Sequence, residues 1–375
     1  MALAAIFGTV SCNKNFPAQS SAPEAAVPDA AISINIGMEN RGTKATTDEV
    51  KAFQINSAQV FVFDSENKLE TSYYEQGLSK NTTHSMKIAT FTGQKTVYVI
   101  VNHSRLNKFK PHTSTISDLE NQITDLYTNK PSSLVMSGKN EVTVVKYGNN
   151  GTAGSEAQIK EVNVYVKRLA AMIQLDGIQV DFRGTHLEGA TFTVQQIYLK
   201  NVVGKCKLGV SGLTGSAQSD VHPLPLDDDM HTDYNYWYNK GTLQSTGVPP
   251  TTMENMSEPC NVAGVTTNLG RHLFAFPNKT VGDSHANPFD QRHTRLVIKA
   301  HVKAAATYSD LDTDTYYVFD LPVLAANNIY RVKSLRITML GKDNDNNDDD
   351  VQAGRISPVI TVDEWNGTTD LTYDF

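Results

Sequence analysis

The sequence has few cysteines, and their spacing is typical neither of a disulfide framework nor of a metal site. Three cysteines occur among 375 residues, Cys12, Cys206 and Cys260. They form no CxxC pair and show no spacing typical of zinc ligands, so neither a disulfide framework nor a cysteine-based metal site is predicted. One disulfide bond between Cys206 and Cys260 stays an alternative.

The sequence also lacks an excess of positive charge. Thirty-three Lys and Arg residues stand against 40 Asp and Glu residues, which gives a net charge of -7. No broad basic surface is available to neutralise phosphates, so no nucleic-acid partner is predicted. With 39% hydrophobic and 19% charged residues the composition is typical of a folded protein. Because a domain usually contains about 100–200 residues, a chain of 375 residues is predicted to have two domains.

Motifs that carry catalytic chemistry are missing. GxSxG, GxGxxG, GxxxxGK[ST] and HExxH do not occur, and the ten histidines are scattered singly. One loop combines histidines with acids, but acid-rich loops are more often solvated than metal-bound; its residues are His222, Asp227, Asp228, Asp229 and His231. We predict no catalytic residue, no metal and no cofactor. An enzyme that uses scattered Asp and Glu residues is the weakest hypothesis.

The first residues have the pattern of an export signal. Residues 2–10 are apolar and end in small residues directly before Cys12, which predicts a signal peptide over 1–11. A cysteine at this junction resembles the lipobox of bacterial lipoproteins, in which the cysteine becomes the lipidated first residue. The following segment, 12–30, contains Pro, Ala and Ser in the proportions of an extended linker.

The body of the chain is predicted to be mainly β. Ile32, Ile34, Ile36 and Met38 alternate with small or polar residues, the period typical of a half-buried strand. Ten further segments are rich in Val, Ile, Tyr and Phe, and strands are predicted at 58–64, 96–101, 141–146, 162–166, 172–182, 191–199, 273–276, 295–303, 316–321 and 330–340.

A single helix is predicted among these strands. Within residues 115–127, Ile116, Leu119, Ile123 and Leu126 fall at helical spacing behind a Ser/Thr-rich start that suits capping. We expect this helix to pack across a sheet.

Many short strands with few helices predict two β-sandwich-like units. The boundary is expected near residues 167 and 168, which gives domains at 31–168 and 169–342. The acidic run that follows, within 343–355, repels itself and is predicted to be a solvated hinge. The last segment, 356–375, again alternates like a strand, although Pro358 interrupts the pattern and leaves its register open.

Five of these features, in this order, resemble the fimbrillins, the major fimbrial subunits of Bacteroidales bacteria that build type V pili. The features are the junction at Cys12, the alternating strand that ends at Arg41, the Lys167-Arg168 pair before a strand, Asn327-Asn328 before another strand, and the closing strand with Trp365. No motif is specific alone, but their order and spacing are.

The resemblance implies two transthyretin-like β-sandwich domains and export as a lipoprotein acylated at Cys12. It also implies that a surface Arg-specific protease cuts between Arg41 and Gly42 and frees the first strand, residues 31–41. Loss of this strand would expose unpaired backbone groups and an apolar groove until another strand filled it. The small, polar residues after Arg41 suit an exposed cleavage site.

In this interpretation the C-terminal segment enters the groove of the next subunit. Such head-to-tail β-augmentation is a heterologous contact, which produces open filaments. Burial of four or five apolar side chains would contribute roughly 6–15 kcal/mol before ordering costs. The candidate donor residues are Ile356, Val359, Ile360, Val362, Trp365, Leu371, Tyr373 and Phe375.

The implied partners are further copies of the chain, anchor and tip fimbrial subunits, the maturation protease and a host or bacterial surface receptor. The implied location is a fimbrium at the cell surface and outer membrane, where the chain supports adhesion and colonisation. Because it has both a cleavage site and an apolar C-terminal strand, we interpret it as a stalk subunit rather than a tip or an anchor.

A second hypothesis is a monomeric surface lipoprotein that binds a glycan or a host protein. Its candidate platform is the aromatic segment 234–238, which contains Trp237. Aromatic rings stack on sugars and anchor protein partners.

Overall fold

The computed structural model of the chain is mainly β, which confirms the predicted fold class. It describes residues 27–37, 54–80, 84–146, 159–209, 237–238, 252–260, 263–278, 293–305, 310–333, 335–345 and 360–364. The α-helix in these ranges, α1, spans Ile116–Glu120, and a 3-10 helix spans Leu126–Thr128.

The strands are β1 Ala30–Gly37, β2 Ile55–Phe63, β3 Leu69–Lys80, β4 His84–Thr90, β5 Gly93–Val101, β6 Ile123–Asp125, β7 Met136–Val144, β8 Lys160–Tyr165, β9 Lys167–Arg168, β10 Ala171–Val180, β11 Thr191–Lys200, β12 Val202–Val203, β13 Lys205–Lys207, β14 Trp237–Tyr238, β15 Met253–Pro259, β16 Thr266–Ala275, β17 Arg295–Lys303, β18 Asp312–Asp320, β19 Asn328–Val332, β20 Leu335–Ile337 and β21 Ile360–Glu364.

The first nine strands, β6 apart, form two sheets that enclose one apolar core. The smaller sheet has the order β4-β1-β8 and the larger one the order β3-β2-β5-β7-β9. Val60 and Val62 of β2 pack in one cluster with Ile32 and Ile34 of β1. Side chains alternate across a strand, so the β-branched residues of each sheet meet on the inner face.

The larger sheet is buried on both faces, which explains the unbroken apolar run in β2. Phe61 and Phe63 lie on the face opposite to Val60 and are fully buried. The ring of Phe61 contacts that of Phe109 edge-on, with 5.5 Å between centroids. Leu119 of α1 belongs to the same cluster, so the helix covers the outer face of the sheet.

The strands from β10 onward form a second pair of sheets. One has the order β16-β10-β19-β21, with β20 also paired to β10, and the other has the order β15-β11-β17-β18. Their facing side chains, among them Ile173, Phe192 and Ile298, are buried in one large cluster. This cluster also contains Phe61 and Leu119, so apolar packing continues from the first group of strands into the second.

Backbone hydrogen bonds also join the two groups. Strand β13 pairs with β6 in antiparallel register, with Cys206 opposite Thr124. The carbonyl of Leu208 accepts hydrogen bonds from the Tyr98 hydroxyl at 3.1 Å and from the Ser137 hydroxyl at 2.9 Å. The division into domains at residue 168 therefore stays a proposal, since core and hydrogen bonds both cross it.

Two sequence motifs that are far apart in the chain meet at this junction. Arg168 is completely buried, and its backbone N–H and its Nη1 both donate to Oδ1 of Asn327, at 3.2 and 3.3 Å. Asn327 has a φ of 58°, in the left-handed region that asparagine tolerates better than most residues. Its own N–H donates to the carbonyl of Ala170 at 3.1 Å.

The predicted helix over 115–127 is wrong in its extent. Thr115 and Asp118 form a capping box that starts α1, but the helix ends at Glu120 with Asn121 as its C-cap. Ile123 then lies in β6 with its side chain 44% exposed. Pairing of β6 with β13 supplies hydrogen bonds that the helix would otherwise have supplied, so tertiary context overrides the helical spacing.

Three of the longer strands were missed by the sequence analysis: β3, β4 and β15. Residues 70–72 and 75–77 of β3 are polar or glycine, and Tyr73 is half exposed, so this strand has no clear apolar alternation.

Both Cys206 and Cys260 are buried and form no disulfide bond. Burial raises the pKa of the Cys206 thiol and of the Cys260 thiol, which keeps both sulfurs protonated.

The start of the acidic run is held against the second group of strands. Asp345 is 7% exposed, in contrast to the solvated hinge expected from residue 343. Its Oδ2 accepts a hydrogen bond from the Tyr198 hydroxyl at 2.8 Å, and its Oδ1 lies 3.7 Å from Nζ of Lys200. Burial, followed by the charge of Asp345, raises the pKa of Tyr198 above its ordinary range.

We expect Asp345→Asn to lower the free energy of unfolding by about 3 kcal/mol, because it leaves the ammonium of Lys200 buried without its carboxylate. Asp343→Asn is the matched control, since Asp343 is exposed and such surface changes usually stay within about 0.5 kcal/mol. Urea unfolding of both variants measures the difference. Equal stabilities would show that the buried pair is not stabilising.

Candidate assembly site: the first strand in its groove

Strand β1 is hydrogen-bonded along both of its edges. It runs antiparallel to β4, from the pair Ala30–Thr90 to the pair Ile36–His84. It runs parallel to β8, from Ile32 opposite Lys160 to Gly37 opposite Tyr165. Each backbone group that β1 satisfies on its neighbours would lose its partner if β1 were removed.

The inner face of β1 fills an apolar groove. Ile32, Ile34 and Ile36 are each completely buried, so three of the four predicted first-strand residues occupy the core. The fourth, Met38, lies outside the described residues. The groove is walled by Met86, Ile88, Val162 and Val164 from the flanking strands and floored by Val60, Val62, Val97, Val99, Val142 and Val144 from the opposite sheet.

The outer face of β1 is polar and joins the same two neighbours. Asn35 accepts a hydrogen bond from the Ser85 hydroxyl at 2.7 Å and donates one to Oδ1 of Asn163 at 3.1 Å. Ser33 is half-buried on this face. The side chains of β1 therefore reinforce its backbone pairing on both edges.

Both ends of β1 are attached to the surrounding loops. Oδ1 of Asp29, just before the strand, accepts a hydrogen bond from the N–H of Thr92 at 2.8 Å, and Oδ2 lies 3.9 Å from Nζ of Lys146. The Thr92 hydrogen bonds and the Lys146 charge hold the pKa of Asp29 below its usual value. At the other end, the carbonyl of Gly37 accepts from the N–H of Val166 at 2.9 Å.

A buried ion pair lies beside the first residue of β1. Lys95 and Glu70, with side chains 4% and 6% exposed, form a salt bridge. The second oxygen of Glu70 accepts a hydrogen bond from the hydroxyl of Thr90, the residue opposite Ala30, at 2.6 Å. This hydrogen bond and the ion pair fix the end of β4 against β3, which fixes one wall of the groove.

The C-terminal strand β21 lies at an outer position of another sheet. It pairs antiparallel with β19, from Asn328 opposite Glu364 to Val332 opposite Ile360. Among the described residues no strand pairs with its other edge. Ile360 and Val362, two of the candidate donor residues, are thus in a strand with one hydrogen-bonded edge.

The remaining predicted site residues lie outside the described part of the chain. They are Cys12, Arg41, Gly42, Ile356, Val359, Trp365, Leu371, Tyr373 and Phe375. Their roles stay predictions.

The sites of the competing hypotheses are only partly described. Trp237 and Tyr238 form β14 and pair with Val203 and Val202 of β12, whereas residues 234–236 lie outside the described ranges. The acidic loop from His222 to His231 lies outside them as well. Within the described ranges, no group of three His, Cys, Asp or Glu side chains is placed to hold a metal ion.

One wall of the groove was missed from the sequence. Strand β4 has the alternation expected of a half-buried strand: Met86 and Ile88 are buried, and Ser85 and Lys87 are exposed. The period of two over HSMKIAT would have been sufficient to predict it.

The residues that form this site match the model of a known protein family. Residues 30–168, from the first residue of β1 to the last residue of β9, match the model of the major fimbrial subunit protein, FimA. This part of the chain resembles the fimbrillin family. The predicted resemblance is confirmed, and β1 and its groove lie wholly inside the fimbrillin match.

Solved structures share the fold over most of the chain. A fimbrilin, FimA, from Porphyromonas gingivalis is 16% identical, covers 92% of this chain and 99% of its own, and gives a TM-score of 0.55. A candidate cell adhesion protein from Parabacteroides distasonis is 16% identical, with coverage of 92% and 100% and a TM-score of 0.59. One from Bacteroides eggerthii is 18% identical, with coverage of 92% and 99% and a TM-score of 0.57.

Two further comparisons are negative. No curated protein sequence matches the chain. In the part of the chain that the structure describes, no helix has both the length and the apolar character that crossing a bilayer requires.

We expect Ile34→Ala to lower the free energy of unfolding by about 2–5 kcal/mol, because it leaves a cavity at the centre of the groove. Ser33→Ala, the adjacent change on the polar face of β1, is the control and should cost less than about 1 kcal/mol. Chemical denaturation of both variants measures the two losses. Similar losses would contradict the placement of the isoleucine face in the core.

Acid should loosen the start of β1. The pKa of Asp29 is lowered by its contacts in the folded chain, so these contacts stabilise the fold above the unfolded pKa of about 3.9 and are lost as the pH falls below it. We expect amide exchange of residues 30–32 to accelerate as the pH falls below about 4, after correction for intrinsic rates. In the Asp29→Asn variant the corrected exchange rates should change less over the same pH range. If the variant and the wild-type chain showed the same pH profile, the stabilising role of the Asp29 contacts would be refuted.

Proposed function

We propose that the chain is a stalk subunit of a surface fimbria and polymerises by strand exchange. The observation that carries this proposal is β1: a strand bonded on both edges, with three buried isoleucines, at the amino-terminal end of a fimbrillin domain. The family is that of a structural fimbrial subunit, which supports a role in adhesion and gives no support to an enzymatic one.

In the proposed route the precursor is exported as a lipoprotein acylated at Cys12 and is then cut between Arg41 and Gly42 by an Arg-specific protease. The cut severs β1 from β2, so only noncovalent contacts retain it. Burial of its three isoleucines contributes roughly 5–9 kcal/mol. An incoming strand that contributes comparable apolar burial can therefore take the place of β1.

The donor in this proposal is the C-terminal segment of a neighbouring subunit. Strand β21 can leave β19 by breaking one ladder of backbone hydrogen bonds, whereas β1 is held by two. A donor that runs in the direction of β1 would restore antiparallel pairing with β4 and parallel pairing with β8. Because the donor strand and the groove belong to different sheets of one subunit, the contact can repeat head to tail.

The test uses two variants of the chain, neither of which can polymerise alone. A chain truncated after Arg355 and cut by an Arg-specific protease has a groove but no donor. A full-length Arg41→Lys chain keeps the positive charge, resists the protease and has a donor but no free groove. We expect each to remain monomeric, their mixture to give dimers only, and the cut wild-type chain to give long polymers.

Size-exclusion chromatography with mass spectrometry distinguishes these products, and thermal unfolding verifies that each variant is folded. Polymers of the truncated chain, or a cut wild-type chain that stays monomeric, would refute strand exchange. A monomeric cut product that binds a glycan, with binding lost in Trp237→Ala, would favour the surface lipoprotein.

A further inference from the structure

A groove of about 510 Å³ lies on one sheet of the second group of strands, away from β1. Its lining includes Gln174 and Asp176 of β10, Asn268, Gly270 and His272 of β16, and Lys333 just after β19. It forms beside the bulge between Leu175 and Gly177, where the partner of β10 changes from β19 to β20. Leu175 and Leu273 of the same strands belong to the core, so the groove occupies the outer face.

Two residues that line the groove have buried polar atoms that the described part of the chain leaves without hydrogen bonds. Gln174 is 7% exposed; its Nε2 donates to Oδ1 of Asp176 at 2.6 Å, while its Oε1 is buried and unpaired. His272, which faces Gln174 across the strand pair, also has a buried and unpaired Nε2. Buried polar atoms almost always have partners, so these two indicate a ligand that supplies them.

The chemistry of the lining selects a neutral ligand rich in hydroxyl groups. The carboxylate of Asp176 and Oε1 of Gln174 accept hydrogen bonds, the ammonium of Lys333 donates them, and the amide of Asn268 does both. Of the lining side chains, Asp176 is negative and Lys333 is positive, so this pair favours neither an anion nor a cation. Hydroxyl groups both donate and accept, and several on a rigid ring can satisfy such a set at once.

The shape of the groove agrees with a ring. Gly270 has a φ of 53°, and no atom lies within 4 Å of the position that a Cβ would occupy there. The backbone is therefore bare at this point, and a flat ligand can approach it closely. The volume lies in the range of small-molecule sites.

We propose that this groove binds a neutral sugar, with Oε1 of Gln174 as the buried acceptor for one of its hydroxyl groups. None of the lining residues belongs to β1 or β21, so the proposal is independent of strand exchange. It concerns residues other than the aromatic segment 234–238.

The test is saturation-transfer NMR on the uncut full-length chain with a panel of methyl glycosides of mannose, galactose, glucose, fucose and N-acetylglucosamine. Sialic acid serves as the anionic comparison. We expect millimolar binding of at least one neutral glycoside and none of sialic acid. If no neutral glycoside binds, or if sialic acid binds better, the proposal is wrong.

Two matched substitutions locate the binding. Gln174→Met preserves the size of the side chain and removes its hydrogen-bonding atoms, so affinity should fall by about tenfold or more. Gln179→Met makes the same change on the same strand outside the groove, where the amide donates to the carbonyl of Gly264, and affinity should be unchanged. Equal effects of the two substitutions would overturn the assignment.

Asn268→Ala keeps the test decisive if Gln174→Met does not fold. Asn268 is exposed on the rim of the groove, so its truncation should leave the fold intact while weakening the sugar by several-fold. Unchanged affinity in Asn268→Ala would also count against the groove.

Discussion

The central position of β1 in its sheet is the constraint on which the N-terminal part of the structure depends. A strand with neighbours on both sides satisfies two sets of backbone groups as well as its own. Ile32, Ile34 and Ile36 add apolar contacts with both sheets, so removal of the strand would damage hydrogen bonding and packing together. The proposed strand exchange would therefore have to replace both the hydrogen bonds and the apolar contacts of β1.

The larger sheet of the first group makes many contacts that do not involve β1. The larger sheet has apolar contacts on its outer face as well as its inner one, through Phe61, Phe109 and Leu119. The β6–β13 pairing and the buried Arg168–Asn327 contact tie this sheet to the second group of strands. Because these contacts do not involve β1, the strand exchange proposed above would leave them in place.

The two groups of strands have different polar features and different candidate roles. In the first group Lys95 and Glu70 form a buried ion pair that positions strands. In the second group Tyr198, Lys200 and Asp345 hold the start of the acidic run. Gln174 and His272, which line the groove, each have a buried polar atom without a hydrogen bond in the described part of the chain. The proposed subunit contacts and the proposed sugar site therefore involve different strands.

The sequence by itself determined the fold class and the strand at the site. The alternation at Ile32, Ile34 and Ile36 is a local signal of period two, and the Val and Phe content of residues 58–64 was sufficient to predict a strand at β2. The extent of α1, the parallel pairing of β1 with β8 and the meeting of Gln174 with His272 were decided only by the tertiary structure. These features depend on partners more than 90 residues away or on competing hydrogen bonds, and neither leaves a trace in local periodicity.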